Sequence, residues 1–340
     1  MKTIHFHIKT ALLIACILCY APGCAAARGQ AYANAPLTKE DFMLNTIVQI
    51  TLYDGGSQAT LDGAFALCKA YEDKLSRTID TSEISKINAA NGKPVTVSPE
   101  TAEVLRYGKA YGDKSGGMFD ITIGGESSLW KFDQTEPHKP DDADIQKALP
   151  SVGYQGLMID GDIVTLLKPG AQIDLGAIAK GYIADRLKDY LVQNGVRSAI
   201  IDLGGNILTM GDKNGAPFRI GVRKPFTEDK EVSLVLEVKE KSVVTSGIYE
   251  RYFYDQGAFY HHILDPRTGY PVANDLASVT IVSNLSVDGD GLSTTCFCLG
   301  KEKGLALIES LPDVEAIFLD KKGNLSYSSG IGTKIKMEYN

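Results

Sequence analysis

Positive charge is in short supply: 35 Lys and Arg stand against 42 Asp and Glu, giving a formal net charge of -7 and a pI near 5.4. That balance carries no general electrostatic footprint for nucleic acid and excludes it as a partner class. Histidine is scarcer still, with five in 340 residues, and cysteine numbers six. Long apolar runs are missing too. The longest, ALLIACILCYAPGC, follows Lys2 and Lys9, is too short to span a bilayer, and has the form of a secretory signal. Setting residues 1–23 aside as that signal removes His5, His7, Cys16 and Cys19. Three scattered thiols in apolar surroundings, Cys68, Cys296 and Cys298, then make neither a disulfide framework nor a metal site and read as small core residues. Any histidine chemistry must use His138, His261 or His262, and His138 lies in a Pro- and Asp-rich loop.

Ala21-Pro22-Gly23-Cys24 resembles a bacterial lipobox, in which the cysteine becomes the first residue and carries lipid. Ala25-Ala26-Ala27 equally suits an ordinary signal peptidase. The expectation is an exported bacterial protein, lipid-anchored at Cys24 and facing the periplasm or the cell exterior. Residues 24–36, rich in Ala, Gly and Gln, serve as a tether, and one domain runs from 37 to 340. Neither a repeat nor a second linker divides that domain.

What is present is a mixture of both periodicities. FMLNTIVQITLYD alternates as a strand, and Gln58 to Leu75 predicts a helix burying Leu61, Ala64, Phe65, Cys68 and Tyr71. LSRTIDTSEISKIN is a polar turn and short helix. Ser98-Pro99-Glu100 starts another helix, which stops at Ser115-Gly116-Gly117. MFDITIGG predicts a strand entering a glycine turn, residues 131–155 a loop-rich excursion, and GLMIDGDIVTLLK a hairpin. Strands follow in SAIIDLGGNILTM, FRIGVRKP and VSLVLEVKEKSVVTSG, with Gly204-Gly205-Asn206 marking a close approach of ligand or backbone in the first. After a hairpin in RYFYDQGAFYHH come the turn Asp265–Gly269, the strand SVTIVS, the helices VDGDGLSTTCFCLG and LALIESLP, and a terminal hairpin of VEAIFLD and NLSYSS.

The stretch IDLGAIAKGYIADR, residues 173–186, organises the rest: an apolar strand ends in Asp174, a tight turn follows, and a helix opens on Ile178, Ala179, Tyr182 and Ile183. Unpaired N–H groups at such a helix start suit a phosphate, with Lys180 adding charge one turn in. Asp290 and Thr294 are four apart on one helix face. With a backbone carbonyl they make an all-oxygen site for magnesium; the other reading is an Asp complementing the helix dipole and a Thr bonding back to a carbonyl. Of the adjacent His261 and His262, one at most faces inward from a strand, and a neutral imidazole there is a base for an alcohol. Thr245-Ser246-Gly247 lacks a G-x-S-x-G elbow and reads as a plain turn.

Laid in order, SEISKIN, FDITIGG, IDLGAIAKGYIADR, DLGGNI, VVTSGIYER, HHILDPRTGYPV and DGDGLSTTCFCLG resemble the ApbE-type FAD:protein FMN transferases. The resemblance implies an α+β, T-fold-like core of mixed or antiparallel sheet with packed helices and a smaller subdomain. It also implies a magnesium-dependent enzyme that takes FAD, joins FMN through a phosphoester to a threonine or serine of an exported flavoprotein acceptor, and releases AMP. By position, Ala177 (through its backbone oxygen), Asp290 and Thr294 correspond to metal ligands, and His262 to the base. Met118, Phe119, Asp120, Asp174, Lys180 and Ile263 correspond to flavin-nucleotide positions. Leu44 replaces the family's frequent methionine, in Leu44-Asn45-Thr46 for Met-Gly-Thr, and Thr78 a frequent tyrosine, both beside the flavin. The alternatives are an FAD pyrophosphatase, in which water takes the acceptor's place, and a flavin-binding lipoprotein without chemistry.

Overall fold

Alternate burial along Thr46–Asp54 and again along Phe218–Arg223 is the mark of strands that each press one face onto a core. A computed structural model describes residues 35–132, 136–227 and 231–339. The signal, Cys24 and most of the tether lie outside the described residues.

The chain opens with a hairpin, β1 (Leu37–Met43) and β2 (Thr46–Asp54), followed by α1 (Gln58–Leu75), α2 (Glu83–Ala89), β3 (Val95–Thr96) and α3 (Pro99–Ser115). Next come α4 (Gly124–Trp130), α5 (Asp142–Ala148), the hairpin β4 (Leu157–Asp160) and β5 (Ile163–Leu166), and α6 (Ala179–Gln193). Then β6 (Ser198–Leu203), β7 (Asn206–Met210), β8 (Phe218–Arg223), β9 (Val232–Val238) and β10 (Ser242–Gly247) precede the hairpin β11 (Tyr252–Asp255) and β12 (Ala258–His261). The chain ends with β13 (Leu276–Ser283), α7 (Ser286–Leu299), α8 (Lys301–Glu309), β14 (Glu315–Asp320), β15 (Leu325–Tyr327) and β16 (Lys336–Tyr339).

Eight strands form one sheet in the order β1-β2-β6-β7-β10-β13-β14-β15, and every neighbouring pair is antiparallel. Its two faces are covered differently. Leu61 and Phe65 of α1, Leu105 of α3, Ile183 and Leu187 of α6, and Leu292 and Cys296 of α7 pack with Ile50, Ile201, Val279 and Ile281. On the other face Val243, Val282 and Ile317 meet Phe218, Ile220, Leu234 and Leu236 from the small sheet β16-β9-β8. Covered on both sides, β13 is buried at every position, which is why SVTIVS reads as a strand without a polar face. A third cluster joins Trp130 of α4, Ile145 of α5, Phe253 of β11 and Leu264. The expected α+β class with antiparallel sheet and packed helices is the observed one.

Several expected boundaries move for identifiable reasons. The strand expected over FMLNTIVQITLYD is broken by Leu44 and Asn45, both left-handed (φ 54 and 58), forming the two-residue turn between β1 and β2. MFDITIGG forms no strand. Asp120 accepts from the Thr122 amide at 2.8 Å and hydroxyl at 2.6 Å and from the Tyr154 amide at 2.9 Å, bending the segment into a turn before α4. The expected strand before α6 is reduced to a single bridge between Ile123 and Gln172. SAIIDLGGNILTM folds into two strands about Gly204 and Gly205, and an ideal Cβ at Gly204 would lie 1.9 Å from the Thr46 hydroxyl, so the close approach is to the Thr46 side chain at the start of β2. VSLVLEVKEKSVVTSG divides at left-handed Glu240 between the two sheets. Residues 131–155 include α5, and β16 lies beyond the expected terminal hairpin.

Candidate functional site

The organising stretch earns its place where α6 crosses α7. Gly181 sits so close to α7 that a Cβ would lie 2.2 Å from the Ser286 carbonyl oxygen. Asp185, one turn on, accepts from the amides of Ser286 at 2.8 Å and Val287 at 2.9 Å, so the first turn of α7 is capped by a side chain of α6. Burial pushes that carboxyl up to about 6 against the pull of the two amides. Gly181→Ala is therefore expected to force the helices apart, costing roughly 1–3 kcal/mol. Thermal unfolding of the variant at neutral pH checks this, and an unchanged midpoint would refute the close crossing.

The same crossing fixes Asp290. The Gly181 amide, one of the N–H groups that the start of α6 leaves without an intrahelical partner, donates to Asp290 Oδ2 at 2.6 Å. The Asn206 side-chain amide donates to Oδ1 at 2.9 Å and is itself held by the Ser286 hydroxyl. Only 6% exposed, Asp290 has its pKa raised by burial, opposed by the Lys180 charge and these two hydrogen bonds. As the fifth residue of α7 it lies past the first turn, where Asp288, bonded by the Tyr111 hydroxyl, takes the dipole position. Thr294, one turn later and half-buried, pairs with the Ser246 hydroxyl at 3.0 Å rather than with a carbonyl of its own helix, and Ser246 also meets Ser293 at 2.8 Å. Ser246 thus ends strand β10 as a support for Thr294, not as part of a turn.

Among the described residues no group of three or more His, Cys, Asp or Glu is placed to hold a metal. Asp290 offers one carboxylate and Thr294 one hydroxyl from α7, and the Ala177 carbonyl belongs to the turn just before α6. One charge and two neutral hard oxygens fit an ion such as magnesium that keeps waters and borrows phosphate oxygens, and fit poorly a metal that needs nitrogen or sulfur.

His262 belongs to a cleft of about 380 Å³ whose lining includes Arg77, Thr78, Ser127, Lys131, Phe132, Asp174 and Arg251. His261 and His262 divide as alternation requires. His261 is buried, with Nε2 at 3.2 Å from the Val272 carbonyl and Nδ1 accepting from the Ile263 amide at 3.3 Å; burial pulls it down to about 4. His262 is half-buried, its amide donates to the Arg251 carbonyl at 3.1 Å, and its Nδ1 lies 3.2 Å from that same oxygen. A carbonyl only accepts, so Nδ1 carries the proton and Nε2 is the basic nitrogen. Desolvation, then the charges of Arg251, His261 and Lys180, pull His262 down to about 3, so the ring is neutral at physiological pH. Lys180 precedes Gly181, the residue whose amide bonds Asp290, in the first turn of α6.

Asp174 is anchored by Ser127 at 2.7 Å, the Gly176 amide at 2.9 Å and Arg77 at 3.3 Å. Arg77 in turn donates to the Gly124 carbonyl and, at 2.7 Å, to Ser128. Three cations, Arg77, Lys131 and Arg251, face this one carboxylate along the lining, in a chain of net negative charge. The field favours an anion.

A family model described as the ApbE family matches residues 44–318. The chain belongs to the ApbE family. It is 41% identical over 290 residues to the FAD:protein FMN transferase of Klebsiella pneumoniae, covering 84% of this chain and 90% of that one. The FAD:protein FMN transferase of Treponema pallidum is 33% identical over 347 residues, with 96% and 94% covered. The crystal structure of the ApbE protein of Thermotoga maritima superposes with a TM-score of 0.80 at 30% identity, covering 87% of this chain and 97% of that one.

In this ApbE chain, Thr78, Asp174 and His262 come together on the cleft, while Lys180, Asp290 and Thr294 gather at the crossing. The remaining expected positions are not in the lining of that cleft. Leu44 is half-buried at the hairpin turn, its amide donating to Glu72 at 2.7 Å. Met118 and Phe119 are in the main core, Asp120 is committed to its own turn, and Ile263 is buried behind the histidines. Arg77, Ser127, Lys131, Asp185 and Asn206 were not anticipated. Of these only Asn206 carried a signal, the two glycines before it. Cys68, Cys296 and Cys298 are buried free thiols pushed up to about 12 by burial, as core residues should be.

Proposed function

We propose that this protein transfers FMN from FAD to a threonine or serine hydroxyl of an exported flavoprotein, releasing AMP, with magnesium at Ala177, Asp290 and Thr294. The observation that carries the reading is the α6–α7 crossing, where the Gly181 amide beside Lys180 holds the buried Asp290 at 2.6 Å, one turn of α7 before Thr294. The names and likeness of the relatives support the reaction class. Bound at those three oxygens, the ion would neutralise diphosphate charge and polarise the phosphorus under attack.

The chain's own residues supply the rest. Asp174, fixed by Ser127 and Arg77, orients the nucleotide, with Met118, Phe119, Asp120, Ile263, Leu44 and Thr78 as the proposed surround of the flavin half. Lys180 and the cations of the cleft lining hold the anionic diphosphate. His262 Nε2 takes the proton of the acceptor hydroxyl as its oxygen forms the new bond to the FMN phosphorus and the bridging P–O bond to AMP breaks. Positioning and charge supply most of the acceleration.

Incubating the protein with FAD, magnesium and a candidate exported flavoprotein tests this directly. A flavin band that survives denaturing electrophoresis and depends on a threonine or serine of the acceptor is the expected result. Free FMN without labelled protein would instead establish the pyrophosphatase, and FAD unchanged over hours the non-catalytic binder. Export and lipidation at Cys24 belong to the same proposal, and replacing Cys24 with Ser should release the protein from the membrane fraction.

A further inference from the structure

Glu126 is the anomaly of the fold. It lies in the first turn of α4, is 0% exposed, and neither carboxyl oxygen has a hydrogen-bond partner among the described residues. A bare buried carboxylate is far costlier than a neutral acid. Its surroundings explain what the group touches. An ideal Cβ at Gly269 would lie 2.9 Å from Oε2 and 2.7 Å from Ile145, so Glu126 is wedged between α4, α5 and the Asp265–Tyr270 turn. Trp130 closes the same joint, donating from its indole nitrogen to the Gly269 carbonyl at 2.9 Å.

Helix α4 matters to the cleft because the residues beside Glu126 build it. Ser127 holds Asp174 at 2.7 Å, Ser128 accepts from Arg77 at 2.7 Å, and the turn on the other side of the joint continues directly from His262. We infer that Glu126 is a positioning residue carried as the neutral acid, a proton latch that seats α4 against the Asp265–Tyr270 turn and loosens that seat when it ionises.

The charged and titratable groups on the surrounding elements are already engaged. Asp142 of α5 is bonded to Tyr270 and Lys139, Asp265 is paired with Arg267, and Asp174 with Arg77. Asp144 and Lys147 on α5, Tyr260 on β12 and Asp255 on β11 complete the set, and none contributes to the shift: burial alone raises Glu126 to about 7. An acid whose folded pKa lies above its unfolded value loses stabilisation as pH rises through the interval between the two. The seat should therefore weaken from the ordinary carboxyl range up to about 7 and level off above it.

Amide-exchange protection of residues 124–130, expressed relative to intrinsic exchange, reads the seat without any ligand and is independent of the transferase reading. Wild type should lose about tenfold in protection between pH 6 and pH 8. Glu126→Gln, isosteric and without a proton to lose, should keep the same protection at both, and Glu126→Leu provides a second neutral variant. A flat wild-type profile, a loss spread over the whole chain rather than residues 124–130 and 265–270, or an unchanged loss in both variants overturns the inference.

Discussion

Replacing Asp290 with Ala is expected to lower FMN transfer roughly 10³-fold, the order of the several kcal/mol that a metal contributes to a phosphoryl transition state. The residue is the one carboxylate of the proposed ligand set, so its loss removes the site's formal charge toward the ion. The structural cost is smaller, because the Gly181 amide and the Asn206 side chain lose an acceptor, about 1–3 kcal/mol. Part of that returns through removal of a desolvated charge. Turnover should fall far more than stability, and the apparent affinity for magnesium should fall with it. Activity near wild type with an unshifted magnesium dependence would remove Asp290 from the metal site.

His262→Ala is expected to reduce transfer by roughly 10²–10⁴-fold, the usual contribution of a positioned base, while FAD binding is retained. The pH dependence distinguishes this from a binding role. With His262 at about 3 in the free protein, its protonation affects kcat/KM only well below physiological pH, so that profile should lack an acid limb near the usual imidazole range. A bound diphosphate offsets the Arg251 and Lys180 charges that depress the ring, so the acid limb of kcat should lie at higher pH than that of kcat/KM. Coincident limbs in the two profiles, or loss of FAD binding in the variant, would move His262 from proton transfer to nucleotide binding.

The sequence made some parts of this molecule plain and hid others, and the division follows the range of the interactions. Helix α1 and the limits of α3 were legible because their apolar spacing, the Ser98 cap and the glycines that end α3 at Gly116 are local signals. That Asp290 and Thr294 stand one turn apart on the same helix, and that one of His261 and His262 is buried and the other is not, were legible from helical and strand spacing. The turn at Leu44-Asn45 was not, since leucine gives no sign of a left-handed conformation. MFDITIGG failed for another reason: its β-branched residues favour a strand, but the three donors gathered by Asp120 decide the backbone. Arg77, Asp185 and Asn206 act on partners 47 to 102 residues away, as in the pair from Asn206 to Asp290 across 84 positions, and no local pattern encodes such a partner.

The cap that Asp185 gives to α7 also constrains how this protein can be recombined with its relatives. Residues 177–186 and 286–294 share one set of hydrogen bonds and one clash-free approach at Gly181, so neither segment is a self-sufficient module. A chimera that imports one of them alone inherits a helix whose first turn and buried carboxylate were fitted to a different neighbour, whereas exchanging both together keeps the fit.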